Sequence, residues 1–380
     1  MVMMMCVYVW MVVLWWNSVY GSYLFQEYPA LSTNIPHIFL SCTPSPVDPC
    51  PQFRARLGHK NLFIKRDDLL GINGAYGGNK VRKLEFLLAD ALHAGAHTVI
   101  TFGCTGTNHG LATAWYARQC GLNCVLLLKH QPNSWVVRNN LLLSAYVGAR
   151  IDVFADSVTR QEALEKYMHD DAGCYFFPTG GSVPLGCLGF VNAAFEIKKQ
   201  VDQGFLPEPD YVYMPIGSCG TVAGLLLGLR MAGMRTRVVA VAVEPEEYPG
   251  YFLEKTRTLF QETQALLRAH AHTVPVYPWQ EDRISIRMDV CGPAYGVWLC
   301  QGDKAAHMMQ QTEGIVLEGT YSAKACAVLM DDIAQGRVAQ HDNLLFWNTY
   351  CGLDYTCLTR QVNYKQLNPV VHHYFENVTA

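Results

Sequence analysis

Short apolar strands recur along this chain, each followed by a turn of small residues and then a helical run, and this alternation limits the fold to few choices. The strand at 98–102 (Thr98-Val99-Ile100-Thr101-Phe102) meets a turn at 103–110 and a helix over 111–120. A strand at 123–129 follows, and helix and strand repeat at 136–146 and 150–154. Beyond a Gly- and Pro-rich stretch at 178–186 come a helix over 188–203, a strand at 211–215, a turn at 217–221 and a helix over 222–232. A strand at 238–243, a long helix over 250–272 and a last strand at 344–347 complete the series. Strands that are apolar on both faces and separated by helices pair in parallel and are covered on both sides. The expectation is an α/β protein with mostly parallel sheets flanked by helices.

One turn carries chemistry. Gly77-Gly78-Asn79-Lys80 forms a tight loop that delivers a lysine to the start of a helix, continued by Leu84-Glu85-Phe86-Leu87-Leu88 with its apolar side at helical spacing. A lysine held on short, rigid backbone and stripped of water has a lowered pKa, and its neutral amine can condense with an aldehyde. The competing reading is a solvated basic face shared by Lys80, Arg82 and Lys83.

The turns at 77–80, 103–110 and 217–221 each follow a strand and open a helix, where backbone N–H groups and the helix dipole attract an anion. The last is the best phosphate cradle, because Ser218 and Thr221 add hydroxyls to the amides. A lysine, an anion cradle and a polar turn bearing Thr107 and Asn108 are what pyridoxal phosphate requires. The lysine forms a Schiff base, the cradle takes the phosphate and an asparagine reaches the ring hydroxyl. Dinucleotide binding would need G-x-G-x-x-G early in a βαβ unit with an acid about 20 positions on, and no turn here fits.

Composition removes other classes. The 380 residues suffice for two domains; half are hydrophobic and 16% charged, so a large core is expected. With 29 basic and 32 acidic residues and no basic stripe, a nucleic-acid partner is excluded. The 14 cysteines form no framework of short spacings, and they read as small buried hydrophobes in a reducing, cytoplasmic setting. Cys120 and Cys124 lack a matching pair, and His93 and His97, on one helix face, lack a third ligand, so no metal is expected. Residues 1–16 are almost wholly apolar, yet they lack the charged start of a secretory signal and the length of about 20 residues that a spanning helix needs. Residues 1–24 are therefore set apart as an extension, with membrane contact expected only if 1–16 is an anchor.

Taken in order, Ile64-Lys65-Arg66-Asp67-Asp68, Gly77 to Glu85, Thr107-Asn108-His109, Gly180-Gly181-Ser182 with Pro184-Leu185-Gly186, Gly217 to Thr221, Tyr295-Gly296 and Tyr321-Ser322-Ala323-Lys324-Ala325 carry a resemblance. The chain resembles the pyridoxal-phosphate enzymes of the tryptophan-synthase-β type (fold type II), and within them the D-cysteine desulfhydrase and 1-aminocyclopropane-1-carboxylate deaminase family. The likeness runs from about 26 to 355.

The resemblance implies two open, twisted sheets in two lobes, 80–193 and the larger 25–79 plus 194–380, with the cofactor in the cleft between them. It implies that Lys80 carries pyridoxal phosphate, that Asn108 meets the ring hydroxyl, and that Gly217, Ser218, Cys219, Gly220 and Thr221 bind the phosphate with help from Lys83. Thr107 stands where the family has a serine near the substrate, and Tyr295 and Tyr321 match two active-site tyrosines. Ser322 replaces the glutamate that faces the ring nitrogen in the deaminase branch. This favours elimination of a β-thiol, with D-cysteine giving pyruvate, sulfide and ammonia. The deaminase reaction on 1-aminocyclopropane-1-carboxylate, or a cofactor binder with altered catalysis, are the alternatives. A homodimer is implied. Asn348-Thr349-Tyr350-Cys351-Gly352 replaces the usual His-Thr-Gly-Gly, and Tyr350 is expected to narrow the pocket.

Overall fold

The computed structural model describes residues 22–376, so the apolar run at 1–16 lies outside the described residues. Two sheets organise the chain. The first has the strand order β1-β2-β10-β7-β8-β9 (Val47–Pro49, Asn61–Arg66, Asn343–Asn348, Tyr211–Ile216, Arg237–Ala242, Ile284–Arg287). All its neighbours pair in parallel except β1, which runs antiparallel to β2 at the edge. The second is wholly parallel, in the order β5-β4-β3-β6 (Arg150–Phe154, Asn123–Lys129, Thr98–Cys104, Cys174–Phe177). Val238 to Ala242 in β8 are all buried, as a strand covered by helices on both faces must be.

The strands β1, β6 and β9 gave no clear signal in the sequence. Each is a short edge strand, and β1 ends in proline, which an edge tolerates because its N–H side needs no partner. The helix expected over 188–203 begins earlier, as Pro184–Asp202: Pro184 is pre-set for the first helical position and Val183 is extended before it. This helix is the central pillar. It packs against the helices Lys80–His93 and Gly220–Met231, and the division placed at 193/194 falls inside it. Close approach depends on Gly189, where an added Cβ would lie 2.2 Å from the carbonyl oxygen of Arg82.

Both ends of the described chain join the fold in ways the sequence hid. Ser22 and Leu24, set with the N-terminal extension, bond to the Oδ1 of Asn192, and Leu24 and Phe25 lie in the core. Near the C-terminus, Tyr355, Val371 and Tyr374 leave the six-stranded sheet and join the apolar cluster of Val81, Leu111 and Leu141. The lysine helix stops at His93, so His97 stands beyond it and meets Asp171 instead (3.2 Å). Among the described residues no group of three or more His, Cys, Asp or Glu is placed to hold a metal, and no helix is long and apolar enough to cross a membrane.

Candidate active site

A cavity of about 730 Å³ opens between the carboxyl ends of the two sheets. Its walls come from the residues ending β3 (Gly103, Cys104), β4 (Lys129), β7 (Ile216) and β10 (Thr349), and from the turns that follow them. Parallel strands place all their following turns at one edge, so turns far apart in sequence meet there. Lys80, Thr107, Asn108, Gly217, Ser218, Cys219, Thr221, Tyr295 and Tyr321 all line this one space. Lys83, Gly220 and Ser322 stand behind it.

The lysine loop is bound on both sides. Gly78 N–H donates to the carbonyl of Asp67 (2.8 Å), Asn79 N–H to that of Thr349 (3.1 Å), and Gly77 N–H to the Sγ of Cys351 (3.2 Å). Gly78 has φ +87°, and an added Cβ would lie 3.0 Å from the Thr349 oxygen, so glycine is required twice over. Lys80 then starts the helix with its side chain open to the cavity and, among the described residues, with no hydrogen-bond or ion-pair partner. Enclosure by protein drives its pKa well below that of an ordinary lysine, and the neighbouring Lys83 pushes the same way. The amine is therefore held toward its neutral, nucleophilic form.

The turn at 217–221 has the form of an anion site. Cys219 adopts a left-handed conformation (φ +69°), and its own side chain does not cap the helix Gly220–Met231 that follows. The Gly220 N–H donates to Ser182 Oγ (3.2 Å) and to the Ser218 carbonyl (3.0 Å), and the Thr221 and Val222 amides behind it are the ones offered to an anion in the cavity. Asn79 Nδ2 donates to Thr221 Oγ1 (3.3 Å), and Ser182 Oγ donates to Ser218 Oγ (2.7 Å). Lys83 Nζ donates to Gly180 O (3.0 Å) and Ser182 Oγ (3.2 Å), placing its charge one hydroxyl behind the turn. Burial brings its pKa down to about 8. At Gly220 a Cβ would sit 2.9 Å from that ammonium.

Across the cavity, Thr107 caps the helix Asn108–Gln119 by accepting the Gly110 N–H (3.0 Å), which leaves its hydroxyl hydrogen free to donate. Asn108 Oδ1 accepts from Asn140 Nδ2 (2.9 Å) and from the Tyr76 hydroxyl (3.4 Å). The amide NH₂ of Asn108 is therefore the group left for a cavity ligand. The Tyr295 and Tyr321 hydroxyls meet at 2.8 Å, and enclosure pushes both phenols well above their usual range, so the pair shares protons without ionising. Glu318 fixes Tyr321 by accepting the N–H groups of Thr320 (2.8 Å), Tyr321 (2.7 Å) and Ser322 (3.0 Å).

One expectation gains detail here and one changes. The Ser322 hydroxyl is buried behind the cavity wall, where it accepts the Glu318 N–H (2.9 Å) and keeps its own hydrogen to donate, so its partner is set by the helix it starts as well as by its place beside Tyr321. Tyr350 does not line the cavity; its ring packs edge-on against Trp135 (6.3 Å between centroids), while Cys351 supports the lysine loop. Several lining residues were given no site role on sequence, among them Asn79, Ser182, Gln131 and Glu244. Lys129 and Glu244 directly end or follow strands, and that position was their one available signal. His109 also lines the cavity; both ring nitrogens are buried without a partner among the described residues, and burial, with Lys80 and Lys83 nearby, drives its pKa well down.

An enclosed amine open to the cavity, a helix start with hydroxyls beside it, and an amide held by its oxygen fit an aldehyde, a phosphate and a ring oxygen respectively. The family model described as pyridoxal-phosphate dependent enzyme matches residues 38–349. The chain belongs to that family, and its cofactor is pyridoxal phosphate. Among curated relatives, the D-cysteine desulfhydrase of Klebsiella pneumoniae (strain 342) is 33% identical over 326 residues, covering 83% of this chain and 94% of that protein. That of Serratia proteamaculans (strain 568) is 33% identical over 330 residues, covering 83% and 93%. Among solved structures, an ACC deaminase homologue aligns with a TM-score of 0.71 at 29% identity, covering 85% of this chain and 94% of its own. A pyridoxal 5'-phosphate-dependent aspartate racemase (TM-score 0.59, 15% identity, 88% and 96% covered) shares the fold alone.

Proposed function

We propose that the protein catalyses α,β-elimination from a small D-amino acid, with D-cysteine and water giving pyruvate, sulfide and ammonia. One observation carries the reading: the unpaired Lys80 amine faces the same cavity as the hydroxyl pair of Tyr295 and Tyr321. Pyridoxal phosphate supplies the electron sink that stabilises negative charge at Cα. In this reading Lys80 holds the cofactor, Asn108 donates to its ring oxygen, and Ser218, Thr221 and the amides of 217–221 hold its phosphate, with Lys83 behind.

Lys80 Nζ, held neutral by its surroundings, takes the Cα proton of the bound amino acid. The Thr107 hydroxyl and the amides opening the helix Asn108–Gln119 receive the substrate carboxylate. The phenol pair holds a proton for the leaving sulfur of a substrate thiolate, which then departs as hydrosulfide (HS−) rather than as the bare dianion. The cavity walls are the two lobes, 80–193 and 25–79 plus 194–380, joined through the helix Pro184–Asp202.

The D-cysteine desulfhydrase relatives support the elimination reading, and D-cysteine is our proposed substrate within it. The likeness to an ACC deaminase homologue favours a second reading, opening of 1-aminocyclopropane-1-carboxylate to 2-oxobutyrate and ammonia. Absorbance of the purified protein, recorded before and after D-cysteine, with sulfide, pyruvate and 2-oxobutyrate assayed, separates them. A spectral change with sulfide and pyruvate supports elimination; 2-oxobutyrate from the cyclopropane substrate without sulfide from D-cysteine replaces it; a bound cofactor with no turnover leaves a binder.

We also propose a cytoplasmic homodimer; the 13 cysteines of the described residues are all free, as a reducing compartment requires. Fractionation of the tagged full chain and light scattering check location and assembly. A membrane-bound or monomeric protein would refute the respective half.

A further inference from the structure

Past β10 the chain leaves the six-stranded sheet and straps across to the other lobe, ending in Tyr374, which is 2% exposed. The phenol oxygen of Tyr374 meets four polar atoms. It donates to the Gln131 carbonyl (3.1 Å), accepts from the Thr105 hydroxyl (3.1 Å) and the Gln131 N–H (3.3 Å), and lies 2.9 Å from His130 Nδ1. Asn133 Nδ2 secures the strap from the same loop by donating to Tyr374 O (3.0 Å).

The loop so held is part of the cavity wall: His130, Gln131 and Pro132 line it. Gln131 reaches back with Oε1 to accept the Gly106 N–H (2.9 Å). Gly106 O in turn accepts Asn140 Nδ2 (2.9 Å), and the same nitrogen donates to Asn108 Oδ1 (2.9 Å). On its other side Gln131 lies under Gly296, where an added Cβ would be 3.1 Å from its Nε2, next to Tyr295. One hydroxyl thus pins both the Thr105–Asn108 turn and the loop wedged between that turn and the Tyr295 segment.

We propose that Tyr374 is a positioning residue for amino-acid binding: its hydroxyl fixes the turn carrying Thr107 and Asn108 through Thr105, Gln131 and Gly106. The proposal rests on reading the cavity as an amino-acid site. Its physical basis is that removing the hydroxyl leaves the Gln131 N–H and carbonyl and the Thr105 hydroxyl to find new partners inside a packed wall. Lys80 and the turn at 217–221 lie outside this network, so the lysine and phosphate anchors of the cofactor should be untouched, while Asn108 lies within it.

The test uses the holoenzyme with Tyr374→Phe, and with Val371→Ala as a control on the same strap. Val371 is 1% exposed and contributes only apolar packing. Hydrogen exchange of segments 104–108 and 130–133 is measured alongside KM and kcat for D-cysteine. Tyr374→Phe is expected to speed exchange in both segments and raise KM about five- to tenfold, the scale of one lost hydrogen bond, with kcat little changed and the cofactor still bound. Val371→Ala is expected to lower Tm with neither effect. Unchanged exchange at 104–108 in Tyr374→Phe, or an equal rise in KM in Val371→Ala, overturns the proposal. Should Tyr374→Phe not fold, Thr105→Val removes one partner of the same hydroxyl and is read the same way. Should the parent enzyme not act on D-cysteine, the elimination reading fails, while exchange still decides the role of Tyr374.

Discussion

Lys80 and Arg82 stand two residues apart on one helix, yet the regions they enter treat a positive charge in opposite ways. Arg82 turns into a fully buried ionic cluster. Its guanidinium forks to Asp67 (2.7 and 3.0 Å) and Glu196 (2.9 and 3.0 Å) and also reaches Ser45 Oγ (2.9 Å). Lys65 bonds to Glu196, to Gln200 (2.8 Å) and to the Ser45 carbonyl (2.7 Å), and Trp347 Nε1 closes the far side on Asp67 (2.7 Å). Burial works against the charge on Arg82, but Asp67 and Glu196 hold its pKa well above the usual value. Lys80 has lost water and gained no anion, so its pKa falls. Burial and partner compete: Asp67 and Glu196 win at Arg82, whereas at Lys65 burial outweighs Glu196 and the pKa still falls below the ordinary lysine value. The cluster fixes the helix and the cavity exploits what the helix presents.

The sharpest way to break this comparison is Lys80→Ala. The expected outcome is loss of the lysine-bound cofactor absorbance and of turnover to background, with the fold retained by circular dichroism. Retained absorbance in that variant would sink the assignment of Lys80. On the other side, Glu196→Gln should leave Arg82 and Lys65 short of one buried countercharge and cost about 3–5 kcal/mol in urea unfolding. A loss under 1 kcal/mol would show the cluster to be dispensable.

The same carboxylate sets an acid limit. Burial opposes its charge, but Arg82 and then Lys65 bring its pKa from 4.5 to about 2. Its folded pKa lies below the unfolded one, so its contribution is full above pH 4.5 and fades as pH falls toward about 2. Glu196→Gln should flatten the unfolding free energy across that interval, and an unchanged slope would contradict the assignment. Tyr321→Phe breaks the hydroxyl pair without touching either region's charge. We expect kcat to drop roughly 100-fold with cofactor binding intact. Smallest of all, Thr221→Ala should weaken cofactor affinity by about threefold to tenfold in equilibrium dialysis, the scale of one hydrogen bond. No change there would move the phosphate away from this turn.

Much of the architecture was legible because it is written locally. Alternating apolar strands and helical runs identified the α/β class, and small residues after strands marked the turns that build the cavity. The edge strands β1, β6 and β9 were not legible, since short, half-covered segments lack a hydrophobic period. The lysine loop could be read from Gly77-Gly78-Asn79-Lys80, because tight backbone and a single amine are local properties. Ser322 shows the converse: its place beside Tyr321 is a matter of sequence, but the bond its hydroxyl accepts from the Glu318 N–H follows from the helix it starts.

By itself, then, the sequence determined where the inner strands of both sheets lie, where the small-residue turns fall and which lysine a rigid loop presents. Each of these depends on residues within a few positions of one another. Tertiary structure alone decided that Tyr295 meets Tyr321, that Arg82 rather than Lys80 finds its anions, and that a strap from β10 delivers Tyr374 to Gln131. Those contacts join segments far apart in the chain, and only packing of the two sheets against the helix Pro184–Asp202 sets the distances between them.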